Sequence, residues 1–246
     1  MALDVIDLRQ FYSSRLGAIA LGSILGAVRA RWSNPAGLSI LGLGYPLPYL
    51  DAFREQAERC IALMPGRQGV TAWPTGMLSS VGLVDPLDLP LRESVIDRLL
   101  VIHALEVSED AHALMDECWR ILAPGGHLIV VAPNRSGSWA RRDSTPFGHG
   151  QPYSRGQLTQ LMRQSLFTPI HWTEALHIPP LRGSLSLSFA PAIERFGNTL
   201  NLPFAGVHII EASKQLYRPV PARRAARIGA RLDPVLVPSV GRNAGN

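Results

Sequence analysis

The stretch RILAPGGHLIVVAPN, residues 120–134, decides the reading of the fold, because it closes one element and opens another. Upstream, Ala111, Leu114, Met115, Cys118, Ile121 and Leu122 recur at helical spacing, which predicts an amphipathic helix. Ser108 is placed to cap it, and Glu109 and Asp110 favour its positive N-terminus. Pro124, Gly125 and Gly126 end it, since proline lacks an N–H and glycine frees the backbone. HLIVVA, residues 127–132, then reads as a fully buried strand.

The same alternation extends in both directions. Ser39–Gly44 reads as a buried strand, Pro48–Arg59 as a helix with Leu50, Phe53 and Ala57 on one side, and Cys60–Met64 as a second strand closed by Pro65 and Gly66. Gly69–Trp73 is the candidate third strand, and Asp97 leads into a fourth over Arg98–His103. Downstream, Ser154 and Gln157 form a capping box for a helix through Ser165. Late strands are expected near Pro169–Ala175 and Val207–Tyr217, with a helix around Ala190–Asn201 between them. This pattern implies an α/β fold with a mainly parallel sheet and helices on both faces. Such sheets bind ligands beyond the carboxyl ends of their strands, so the loops after Leu43, Met64, Val84, His103 and Ala132 matter most. Residues 134–152 form a long polar loop without hydrophobic period, a length that often carries function.

Composition sets the bounds. A chain of 246 residues, 46% apolar and 17% charged, buries a large core and suits one domain. Cys60 and Cys118 are the only cysteines. They make neither a disulfide framework nor a zinc spacing, so no metal is expected and a reducing, cytoplasmic setting is the default. The apolar run Leu16–Val28 resembles a signal-peptide core in length, but Asp4 and Asp7 precede it and it is too short to span a bilayer. It reads as a packed helix, with Phe11, Leu16, Ile19 and Ile24 sharing the buried side, and no stable membrane insertion is expected. The net charge of +5 belongs to the end of the chain: residues 218–246 hold six of the 24 basic and one of the 19 acidic residues, leaving 18 of each elsewhere. The expected division is therefore a domain over residues 1–217 and a flexible basic tail over 218–246. That tail is either a solvated extension or an arm for an acidic partner, nucleic acid or anionic lipid.

With these elements in order, the chain resembles the class I S-adenosylmethionine (SAM)-dependent methyltransferases, in the broad group of the ubiquinone/menaquinone C-methyltransferases. The carrying segments are RILAPGGHLIVVAPN, residues 120–134, which resembles the family's helix, LxPGG turn and fifth strand, and DPLDLPLRESVIDRLLVIHALE, residues 85–106. LRQFYSSRLG, residues 8–17, resembles the aromatic helix before the first strand. The resemblance covers about Leu8–Phe167. It implies a Rossmann-like seven-stranded, mostly parallel sheet, SAM as cofactor, and a small-molecule or protein methyl acceptor. Its cofactor positions fall on Gly42, Gly44, Tyr45, Asp85 and His103, with Asp85 at the place that contacts adenine. Here Gly42 replaces the usual acid of the first loop, and Pro46 and Pro48 fall where later glycines stand. No Asp or Glu occurs between Arg59 and Val84, where the family carries its ribose-binding acid; Arg67 occurs instead. Fewer backbone donors and a missing carboxylate imply SAM binding of about micromolar affinity or poorer.

Methyl transfer needs alignment of donor and acceptor more than covalent help, so no dyad is required. His103 is the weak candidate for a catalytic base, with a partly buried, hydrogen-bonded structural role the favoured alternative; Glu106 is either part of the family-like LE pair or an exposed charge. Tyr12, Asn134, Arg141, Arg142 and His149 are the candidate acceptor contacts near the site mouth. Three rival readings stay open: a non-catalytic methyltransferase-like binding protein; an oxidoreductase using GLGYPL, residues 42–47, for a dinucleotide, with Arg67 suiting a 2′-phosphate; and RNA methylation guided by the arginine tail.

Overall fold

The computed structural model describes residues 3–180 and 205–216, so the helix expected around 190–201 and the tail over 218–246 lie outside the described residues. Strands β1 (Ser39–Gly44), β2 (Arg59–Pro65), β3 (Val81–Val84), β4 (Ile96–Ile102), β5 (Leu122–Pro133), β6 (Phe167–Ala175) and β7 (Val207–Lys214) form one sheet in the order β3-β2-β1-β4-β5-β7-β6. The β3-to-β5 block is parallel, and β7 runs antiparallel to both β5 and β6. That reversed strand, between β5 and β6, departs from an all-parallel sheet.

Period-two alternation within each strand divides the core between two faces. Ile40, Leu100, Ile102, Ile129 and Val131 share one cluster with Leu8 of α1 (Val5–Ser13) and with Ala20, Ile24 and Val28 of α2 (Arg15–Arg31). Leu41, Leu43, Leu99, Val101, Leu128 and Val130 share the other with Leu114, Met115 and Cys118 of α4 (Ala111–Ile121) and Leu158 and Met162 of α5 (Arg155–Gln164). The Leu16–Val28 run is thus a core helix. Phe11 stands on α1 instead, because the chain turns by 90° between the two helices, where the Ser14 side chain caps α2. Among the described residues no single helix is long and apolar enough to cross a membrane.

Local chemistry moved several boundaries. The expected helix after β1 shrinks to α3 (Leu47–Leu50), followed by turns in which Phe53 and Gln56 donate to carbonyls three residues back. The third strand is Val81–Val84, not Gly69–Trp73: it pairs with β2 over Ala62–Pro65, whereas Trp73 turns inward and donates its ring N–H to Asp51 at 2.8 Å. Asp110, not Ser108, caps α4, accepting from the N–H groups of His112 and Ala113 at 2.9 and 3.0 Å. The Ser154–Gln157 capping box forms as expected. Pro124–Gly126 lies within the β5 run, which starts directly where α4 stops.

An ion cluster ties α2 to the sheet. Glu211 of β7, 2% exposed, accepts from Arg31 Nε at 2.6 Å and pairs with His127 Nδ1 at 2.7 Å. Burial raises its carboxyl pKa, but the hydrogen bonds from His127 and Arg31 outweigh that and leave it below the usual range. A depressed folded-state pKa adds stability above the unfolded pKa, and that stability is lost as pH falls through the folded value. Glu211→Gln should therefore lower the urea midpoint near pH ~7 and cost progressively less below about pH 4; a pH-independent loss would show that packing alone is affected. Burial also pushes the Cys60 thiol up to about 12 and raises that of Cys118. Both should resist alkylation at neutral pH in the native protein and react once urea unfolds it, read by intact mass.

Candidate functional site

The strand order reverses between β1 and β4. β1 ends at Gly44 with φ of +102°, and a Cβ there would stand 2.0 Å from the Ile102 carbonyl oxygen, so the two strands meet this closely only with glycine. The Tyr45 N–H donates to that same carbonyl at 2.9 Å. Pro46 then folds back over β1: a Cβ on Gly42 would lie 2.3 Å from the Pro46 Cβ. Tyr45 and Tyr49 are buried. The Tyr45 ring stacks on Tyr12 of α1 with centroids 5.7 Å apart, and the Tyr12 hydroxyl lies 2.8 Å from that of Tyr49. The first loop is therefore packed against α1, which is itself tied down by the Val5 N–H donating to the Gln68 carbonyl at 2.7 Å.

β4 delivers His103 with φ of +56°, a conformation costing roughly 1–2 kcal/mol for a residue with a Cβ. Its surroundings over-determine it. The carbonyl accepts from Gln68 Nε2 at 3.0 Å, Nε2 lies 2.7 Å from the Tyr12 hydroxyl, Nδ1 lies 3.2 Å from Glu106 Oε1, and the ring packs 4.9 Å from Phe147. One proton order satisfies the chain: Tyr49 donates to Tyr12, Tyr12 to His103 Nε2, and Nδ1–H to the Glu106 carboxylate. Burial raises both phenol pKa values, so the two hydroxyls stay protonated donors at neutral pH.

Beside this knot opens a cavity of about 880 Å3. Arg67 and Gln68 line it from the end of β2, Asp85 from the end of β3, and Glu106 and Glu109 from beyond β4. Arg67 pairs with Glu109 in the open. Gln68 and Glu106 are 3% and 4% exposed, and their Oε1 and Oε2 atoms, respectively, have no hydrogen-bond partner. A second cavity of about 530 Å3 lies between α1 and the long loop, lined by Asp7, Gln10, Phe11, Asp143 and His149.

The residues singled out in the sequence are only partly brought together. Asp85 lines the larger cavity, its Oδ1 accepting from the Leu87 N–H at 2.9 Å. Gly42, Gly44, Tyr45 and His103 do not line it, because the turn of Pro46 and the Tyr12–Tyr49 contact take up the end of β1. His103 has partners on both ring nitrogens. On the acceptor side His149 lines the smaller cavity, with Nε2 2.7 Å from the Asp143 carbonyl. Asn134 is a buried brace, donating to the Ala205 carbonyl at 2.8 Å and accepting from the Ser136 N–H at 3.0 Å. Arg141 and Arg142 are exposed, and Tyr12 faces inward to the tyrosine knot. Sequence reasoning missed Gln68, Tyr49 and Phe147. No local pattern marks Gln68; its role depends on the approach of β4. Glu106, left open between two readings, is buried.

The methyltransferase domain family profile matches residues 42–130, the segment from β1 into β5. The matched segment is similar to a methyltransferase domain. A probable SAM-dependent methyltransferase of Mycolicibacterium smegmatis is 32% identical over 82 residues, which is 32% of each protein. The chain thus spans about a third of the length of that curated relative. A Thermotoga maritima SAM-dependent methyltransferase, described as a possible histamine N-methyltransferase, superposes with a TM-score of 0.58 at 17% identity over 86% of this chain and 96% of that one. A structure of the Haloferax volcanii Trm112 activator with a putative methyltransferase gives 0.61 at 18% identity over 87% and 100%. At these identities the likeness is one of fold. Among the described residues no group of three or more His, Cys, Asp or Glu is arranged to hold a metal ion.

Tyr12→Phe keeps the ring stacked on Tyr45 and removes the hydroxyl between Tyr49 and His103. It should destabilise the domain by about 1–3 kcal/mol in urea titration, the scale of a buried polar group left without its partner. No measurable loss would show that the tyrosine knot is not a structural lock.

Proposed function

We propose that this methyltransferase domain binds SAM with the adenosyl group in the 880 Å3 cavity and transfers its methyl group to a small molecule or a protein. One observation carries the reading: at the carboxyl ends of β2, β3 and β4, in a class I sheet, lies a cavity within the roughly 300–1,000 Å3 range of small-molecule sites, and Asp85 lines it. Its lining carboxylates, Asp85, Glu106 and Glu109 against the single cation Arg67, suit a cofactor that is rich in donors and carries a sulfonium. SAM supplies a methyl group already activated by that sulfonium; the chain's own residues orient it and exclude water. Asp85 takes the adenine amino group. His103 braces the site rather than acting as a base, since both its nitrogens are engaged. The proposed acceptor contacts are His149, on the smaller cavity, and the exposed Arg141 and Arg142 of the same loop. The quinone C-methyltransferase-like grouping, the cytoplasmic setting and a role of the basic tail toward an acidic partner or nucleic acid belong to this proposal.

A second reading, a relative that binds a partner without catalysis, is favoured by the first loop: Pro46 covers Gly42, and Tyr45 is stacked under α1. Calorimetric titration separates the two. Under the first reading SAM and S-adenosylhomocysteine bind with affinity of about micromolar or poorer, and Asp85→Ala weakens both by about 10-fold or more. Absence of heat and of thermal shift at millimolar ligand would overturn the first reading in favour of the second; unchanged affinity in the variant would remove Asp85 from the site.

A further inference from the structure

The class I fold ordinarily grips the cofactor's ribose with a carboxylate after β2, and none stands there: residues 65–69 read PGRQG, and Arg67 is committed to Glu109. Two buried acceptors nearby have nothing to accept. Gln68 and Glu106 both line the cavity, are 3% and 4% exposed, and carry Oε1 and Oε2 without donors. Leaving such an acceptor unsatisfied costs about 1–3 kcal/mol, and two cases on residues that line one cavity and share His103 as a partner invite a ligand with two donors.

His103 sets both. Its carbonyl takes Gln68 Nε2 at 3.0 Å, which commits the amide nitrogen and leaves Oε1 over. Its Nδ1 takes Glu106 Oε1 at 3.2 Å, which leaves Oε2 over. His103 makes both contacts from a left-handed backbone conformation, φ +56°. We infer that Gln68 and Glu106 form a diol subsite: Oε1 and Oε2 accept the two ribose hydroxyls of an adenosyl ligand, replacing the absent carboxylate after β2, with His103 as the positioning residue. This inference rests on the SAM reading above, and it adds the residues that fix the ribose.

The test uses the full chain and three probes in calorimetry: S-adenosylhomocysteine, adenosine, and 2′,3′-dideoxyadenosine, which lacks both hydroxyls. Adenosine should bind about 10- to 100-fold tighter than the dideoxy compound, the effect of two hydrogen bonds with one to a charge. In Glu106→Gln, with folding checked by circular dichroism, that preference should shrink to within about threefold. Equal binding of the two nucleosides to the unaltered protein overturns the subsite while leaving the SAM reading intact if the homocysteine compound binds. A diol preference without binding of S-adenosylhomocysteine upholds the subsite and defeats the SAM reading. A preference that survives Glu106→Gln overturns the assignment to Glu106, and no binding of any probe at millimolar concentration overturns both.

Discussion

The close approach of β1 to β4 is the constraint on which the rest of the molecule depends. With Gly44 against the Ile102 carbonyl, the strands stay in register up to their last residues, and the chain must leave each by a sharp turn. On the β1 side the turn is made by Pro46 lying back over Gly42. On the β4 side it is made by His103 in the left-handed region. Both turns face α1, whose Tyr12 meets them together through Tyr45, Tyr49 and His103. Sheet, first loop and N-terminal helix are thereby one packed unit rather than a scaffold with a separate lid.

On the proposed SAM reading, this arrangement shifts the work of ligand recognition sideways along the sheet. In a glycine-rich first loop, free N–H groups and close backbone approach would serve the ligand. Here the Tyr45 N–H is spent on Ile102, and aromatic rings occupy the ground above β1. The open volume is displaced toward β2 and β3, and its polar lining comes from side chains: Asp85, Gln68 and Glu106. Side chains are costlier to hold in place than backbone, because each carries rotamer entropy. The molecule offsets that by fixing Gln68 and Glu106 through a single strained residue.

Much of the sheet was legible from period and punctuation. After their first residues, His127 and Ser39, the runs 127–132 and 39–44 have no polar position, because both strands are covered on both faces. The Ser154–Gln157 box announced α5 because both of its hydrogen bonds are local. The third strand was misplaced for a different reason. GVTAW has the better strand composition, but VGLV has the neighbour: pairing with β2 decides which segment joins the sheet, and pairing is not a property of either segment. The Ser108–Asp110 exchange at the start of α4 is a shift of the same local chemistry by two residues.

The sequence by itself determined the alternating order of strands and helices, the two-faced core and the absence of any Asp or Glu between Arg59 and Val84, because each of these follows from residue type and spacing along the chain. Only the tertiary structure decided that the first loop is closed, that Glu106 is buried, and that Gln68, with no motif around it, stands with Glu106 on one cavity wall. The physical reason is range. Strand and helix signals act over a few bonds, whereas the knot beside the cavity is assembled where Tyr12, Tyr49, Gln68 and His103 converge from four separate stretches of chain, and their contacts exist only after the sheet has closed.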